Sequence, residues 1–449
     1  MNEEVLRVGC AAGFSGDRTD AAAAVVETLL RERGPAVLIF ETLAERTLAL
    51  AQLERRNDPQ RGYEPLLDEL IAPVLEPCLK AGIRIVSNLG AANPRGAALR
   101  IRALAHELGL RVPRIAVVEG DDLSDAAHAG LLASALGDRM QALRIVSANA
   151  YLGAEAIADA LRAGAEIVIT GRVADPSLTV GPALAHFGWQ RDDWDRIARA
   201  TMAGHLLECG AQVCGGYFAD PGYKDVADLH RVGYPIAAID ANGDCVIGKS
   251  NQSGGSVNAR TVKEQLLYEL HDPAAYLTPD VVADISEAEV RESGVDEATL
   301  SGVRGHVRPE QLKVNVCFEG GWLAEGEISY AGPRAEARAR LAADIVRRRL
   351  DGLGLVRADL IGVASIFDDD TGRRFADTPA GDAHDVRLRV AMSHAERSTA
   401  ERLAREVTAL YTCGPAGGGG VRTRLTPRLG TVSCSVPRDD VPSRFEILD

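Results

Sequence analysis

Arg172, in ITGRVADPS (Ile169–Ser177), closes an apolar run and has no structural task visible in the sequence. A planar guanidinium fork suits a carboxylate or phosphate, so Arg172 is the first candidate for an anion clamp. Asp175 precedes Pro176, the arrangement of a helix N-cap followed by proline. Capping is its favoured reading, with substrate binding the alternative. In GHLLECGAQVCGG (Gly204–Gly216), His205, Glu208 and Cys209 share one helical face through i, i+3, i+4 spacing. Such a face supplies a general acid or base, a thiolate, or part of a metal site. The bland alternative is a helix end with a well-placed histidine and a buried cysteine. HExxH is absent and one helix cannot close a coordination sphere, so no cofactor is predicted. A divalent metal on His205 and Glu208 stays a second alternative.

Three glycine-rich segments offer backbone N–H groups to an anion. GFSGDRTD (Gly13–Asp20) carries Ser15, Gly16 and Asp17 between a strand and a helix, although it matches neither GxGxxG nor GxxxxGKS. Asp17 is a candidate proton-exchanging group, or a solvated turn residue. SGGS (Ser253–Ser256) is a polar turn ahead of an amphipathic helix. CGPAGGGGVRTR (Cys413–Arg424) pairs Gly417 and Gly418 with Arg422. It reads as an anion-binding loop or as a surface loop.

Five strand-like runs position these groups: LRVGC, AVLIF, IRIVS, LRIVS and EIVIT, each followed by a polar, glycine-rich stretch. Ligands of open α/β sheets bind outside the carboxyl ends of the strands. As neighbouring parallel strands, the runs gather Asp17, Glu41, Asn88, Asn149, Arg172 and Asp175 along one edge, with Asn93 close behind in NLGAANP. Glu41, Asp17, Glu208 or His205 would exchange protons, while Asn88 and Asn149 orient the substrate. The repeated βα pattern predicts an α/β fold, a doubly wound and mostly parallel sheet over residues 1–210. Residues 211–449 read as a mixed α+β domain. It has one hairpin through Asn242-Gly243 and another turning at Glu319-Gly320-Gly321, with helices near 334–350 and 395–411.

The chain has 449 residues and a net charge of −14, which argues against nucleic acid or an anionic membrane as main partner. Eight scattered cysteines without a CxxC read as free thiols. The start lacks a signal-peptide pattern, and no apolar run approaches the roughly 18 residues of a membrane span. Cytoplasmic residence and a homo-oligomer are the default expectations.

Several long motifs resemble the acyclic terpene utilisation AtuA family. They are GFSGDR, FETLAERT (Phe40–Thr47), NLGAANP (Asn88–Pro94), VITGRVAD (Val168–Asp175), GHLLECGAQ, DPAAYLTPDVV (Asp272–Val282), AEGEISYAGP (Ala324–Pro333) and GPAGGGGVR (Gly414–Arg422). The chain is similar to a shorter member without an additional C-terminal domain, and has SGGS where the family usually has a GTGG-like segment. The resemblance implies a metabolic enzyme handling a branched or unsaturated acyl group, as in degradation of citronellol and geraniol through coenzyme A thioesters. A lyase of the hydratase or dehydratase type, taking a small anionic substrate or an acyl-CoA, is the leading expectation. A non-catalytic accessory subunit is its alternative.

Overall fold

A computed structural model describes residues 4–448. Its first two thirds alternate strands and helices. In order these are β1 (Leu6–Cys10), α1 (Ala21–Glu32), β2 (Ala36–Phe40), α2 (Glu45–Asn57), α3 (Leu67–Ala81), β3 (Arg84–Ser87), α4 (Pro94–Glu107) and β4 (Ile115–Glu119). There follow α5 (Ala129–Leu136), β5 (Ile145–Ala150), α6 (Glu155–Arg162), β6 (Ile167–Thr170), α7 (Ser177–Phe187), α8 (Trp194–Glu208), β7 (Pro235–Ile239), β8 (Cys245–Lys249) and α9 (Ala259–Leu266).

The fold is mixed α/β around a large mixed sheet. Its centre is parallel, in the order β1-β2-β3-β6-β4. All five residues of AVLIF are buried, as in a strand covered on both faces. Alternate side chains enter separate cores: Val37 and Ile39 join residues of α6, α7 and α8, while Leu38 and Phe40 join residues of α1, α3 and α4. The expected Asn-Gly hairpin forms as β7 and β8, but β7 pairs antiparallel with β1 and extends the same sheet. Glu297–Ser301 and Glu289–Gly294 continue beyond β8, and Arg444–Leu448 closes the far edge against β4.

Two expectations are corrected. LRIVS forms β5, which lies outside the parallel sheet and pairs with the strand beginning at Gln311. Its sequence is as apolar as its neighbours', so only pairing reveals the difference. The second predicted hairpin does not form: Gln311–Ala331 is one 21-residue strand. Gly321, at φ 80°, marks a change of partner within it. Residues Trp322–Ala331 pair with Asp385–His394, whereas the earlier part serves β5.

The chain divides into two compact units: residues up to Cys317 with those from Thr431, and Phe318–Gly430. Position 210 falls inside the first unit, because β7 and β8 belong to its sheet. The second unit, Phe318–Gly430, is built on strands in the order Val356–Ile361, Asp385–His394, then the portions of Gln311–Ala331 and Gly419–Pro437 within it, the pairings of Asp385–His394 being antiparallel. Helices Ala335–Arg349 and Arg397–Cys413 fill its core with Ala339, Val346, Leu403 and Val407, against Ile328, Tyr330 and Leu388. Among the described residues, no helix is long and apolar enough to cross a membrane.

Candidate active site

Four neighbouring strands, β1, β2, β3 and β6, lead at their carboxyl ends to Asp17, Glu41, Asn88 and Arg172. Glu41 follows β2 and is 6% exposed. Its Oε1 accepts from the Leu43 N–H at 2.7 Å and from Asn88 Nδ2 at 2.8 Å. Asn88 Oδ1 in turn accepts from the Thr42 N–H at 2.8 Å, so its amide is fixed from both ends. Arg172, 4% exposed, follows β6. Its backbone N–H donates to Asp121 Oδ2 at 2.8 Å. Its guanidinium meets Asp175 at 3.1 Å, donates to the Leu43 carbonyl, and lies 4.1 Å from the centre of the Tyr151 ring. Asp175 is not a helix cap: α7 starts at Ser177, its N-cap position is Pro176, and the carboxylate turns to Arg172.

The C-terminal end of α8 lines the same cavity. His205 is fully buried, its Nδ1 is 3.0 Å from Glu208 Oε1, and its Nε2 has no partner. Gly13 allows the loop after β1 to close against this helix end, since a Cβ there would lie 2.5 Å from the Cys209 carbonyl carbon. Asp17 holds that loop, its oxygens accepting from the N–H groups of Gly13 and Arg18 and from the Tyr234 hydroxyl at 2.6 Å. These groups line a cleft of about 950 Å³, whose wall also includes Glu45, Tyr151, Tyr217, Tyr268, Glu269, Tyr276 and Lys313. That volume lies within the roughly 300–1,000 Å³ common for small-molecule sites.

Burial governs the protonation of this cavity. It pushes the Glu208 carboxyl up to about 7, with His205 opposing and Asp175 and Glu269 adding. Glu41 is raised well above the usual carboxylate range by burial and by Asp175, against Arg172. Asp175 is raised by burial in spite of Arg172. Burial alone would lower His205, but Glu208 outweighs it and the net shift is upward. Burial and Glu208 raise the Cys209 thiol, which disfavours a thiolate nucleophile. The cavity therefore holds two separately anchored carboxyls of raised pKa, Glu208 up to about 7, beside one buried cation. Among the described residues, no group of three or more His, Cys, Asp or Glu side chains is placed to hold a metal ion.

A sequence profile of the acyclic terpene utilisation family protein AtuA matches residues 6–447. The chain belongs to the AtuA family. No curated protein matches it.

Of the residues singled out in this AtuA-family sequence, Asp17, Glu41, Arg172, Asp175, His205 and Glu208 line the one cavity. Asn88 stands directly behind Glu41. Asn149, on β5, is further removed: its Nδ2 donates to Asp121 Oδ2 at 2.8 Å, the atom that also receives the Arg172 N–H. Ser15 lines a smaller neighbouring cavity with Glu64, and Gly16 turns the loop at φ 92°. Asn93 caps α4, accepting from the Gly96 N–H at 3.0 Å and donating to the carbonyls of Pro59 and Arg61. Gly417, Gly418 and Arg422 belong to the second unit. A Cβ at Gly418 would come within 2.8 Å of Ile328, so close packing accounts for that glycine.

Sequence reasoning missed Glu45, Asp121, Tyr151, Glu269, Tyr276 and Lys313. Glu45 sits within FETLAERT and was within reach of motif reading. Tyr151 accompanies a strand assigned to the wrong sheet. Asp121 has a local signal in its position just after β4, and burial pushes its carboxyl up to about 6. The tyrosines carry none, since five of the chain's nine converge from distant segments.

Proposed function

We propose that the cavity is the active site of a lyase of the hydratase or dehydratase type, acting on a branched or unsaturated acyl substrate. The observation that supports this most is the pair of buried carboxyls, Glu41 and Glu208, each raised in pKa and each held by a different partner, Asn88 and His205. Elimination of water needs one group to take a proton from carbon and another to give a proton to the departing hydroxyl. Two carboxyls of raised pKa, held on different elements, suit those roles, because burial moves a carboxyl toward the working pH, where acid–base catalysis is most effective. Arg172 and Lys313 are the two lysine or arginine side chains lining the cavity, and a carboxylate or thioester oxygen would settle toward them. As negative charge grows on that oxygen, a fixed buried cation stabilises it. Membership of a family named for acyclic terpene utilisation agrees with a branched, unsaturated acyl chain.

The test is turnover of a panel of unsaturated and 3-hydroxy acyl thioesters and free acids by wild type, Glu41→Gln and Glu208→Gln. Each amide should lower kcat by roughly 10²–10⁴, the usual contribution of a general acid or base. Unchanged kcat in both variants would remove the proton-transfer assignment.

A further inference from the structure

The tyrosine-lined part of the cavity has no task in the elimination just described, beyond the contact of Tyr276 with His205. Six carboxyl side chains, Asp17, Glu41, Glu45, Asp175, Glu208 and Glu269, line the cavity against two basic ones, Arg172 and Lys313. A cleft with that excess of acidic groups favours a positive occupant.

The aromatic lining points the same way. Tyr151 already takes cations on its ring, with Arg172 Cζ at 4.1 Å and Lys313 Nζ at 4.6 Å from its centre. Tyr217, Tyr268 and Tyr276 line the same cavity, and among the described residues no lysine or arginine lies over them. They stand among acidic groups: Glu208 and Glu269 both act on the Tyr276 phenol, and Glu269 on that of Tyr268. The Tyr276 ring is 5.1 Å from that of His205, whose Nε2 is buried without a hydrogen-bond partner. Ring faces with nearby carboxylates form the usual receptor for an organic ammonium ion.

We propose that this part of the cavity binds an organic ammonium group, so that the substrate is zwitterionic, with a positive nitrogen at the tyrosines and an acyl oxygen toward Arg172 and Lys313. This rests on the cavity being the active site, and it adds a substrate class to that reading. The same arrangement selects against a purely hydrocarbon tail in this part, because such a tail would leave the acidic groups unpaired.

Direct calorimetric binding to the full chain tests it with two probes: a trimethylammonium alkanoate and its tert-butyl isostere, in which carbon replaces nitrogen. The ammonium compound should bind about tenfold tighter than the isostere. Tyr276→Leu, which keeps the apolar bulk and removes the ring face, should bring that ratio close to one without weakening the isostere. Glu269→Gln, at an exposed position that does not threaten folding, should lower the ratio in the same direction. Equal or tighter binding of the isostere overturns the proposal, as does failure of the ammonium compound to bind at millimolar concentration. Binding is read without turnover, so the two readings fail separately. A lost preference with Glu208-dependent turnover intact removes only the ammonium subsite; a preserved preference with no elimination activity removes only the lyase.

Discussion

His205 Nδ1 lies 3.0 Å from Glu208 Oε1, while His205 Nε2 and Glu208 Oε2 are both buried without a hydrogen-bond partner. A charge in this contact is compensated chiefly by the other member. The carboxyl holds its proton more tightly in the folded chain than in the unfolded one, and the imidazole does the same.

Both shifts are upward, so both groups favour the native state at low pH and lose that contribution as pH rises through their folded pKa values. Glu208→Gln removes the carboxyl and the source of the histidine shift together. Its melting temperature relative to wild type should therefore improve steadily from about pH 5 to about pH 8. Calorimetric Tm values across that range check this; a constant or falling difference contradicts the pairing.

Arg172→Met leaves Asp175 beside Glu41 without its counter-charge. Removing one member of a buried ion pair costs about 3–5 kcal/mol. Asp175 keeps 28% of its side chain exposed, so we expect a loss at or below the lower end of that range. Adding Asp175→Asn should recover most of the stability and none of the turnover, as read by urea midpoints and kcat.

Asn88→Leu would strip Glu41 Oε1 of one donor and the Thr42 N–H of its acceptor. An unsatisfied buried group costs about 1–3 kcal/mol, visible as a lower urea midpoint. Turnover should fall further than stability accounts for, since the carboxyl is then free to swing. A variant with full activity would show that Asn88 does not position Glu41.

Gly13 and Gly16 sit in one turn but should respond differently to alanine. At Gly13 the new methyl meets the backbone of Cys209 and Gly210 at 2.5 Å, so the loop and the end of α8 must separate. At Gly16 the space is open and only the φ of 92° resists, which costs about 1–2 kcal/mol. Gly13→Ala should be the more destabilising of the two and should also weaken ligand binding. Thermal melts of both variants decide the order.

The site edge was legible because β2, β3 and β6 are short apolar runs whose carboxyl ends carry Glu41, Asn88 and Arg172. A parallel strand buried on both faces leaves no other place for such polar groups. Asp175 was misread for an equally local reason. Asp before Pro is the sequence of a cap, and nothing in eight neighbouring residues reveals an arginine turning back on it. β5 shows the same limit, since an apolar run does not name the strand that will pair with it.

Sequence alone thus determined the alternating elements, the polar strand ends and the family, because periodicity and ordered motifs are properties of neighbouring residues. Tertiary structure decided that α8 brings His205 and Glu208 over those strand ends, and that five scattered tyrosines meet there. It also decided which carboxyls keep their protons. Burial and Coulomb interaction depend on distance through space, and the spacing of residues along a chain does not encode that distance.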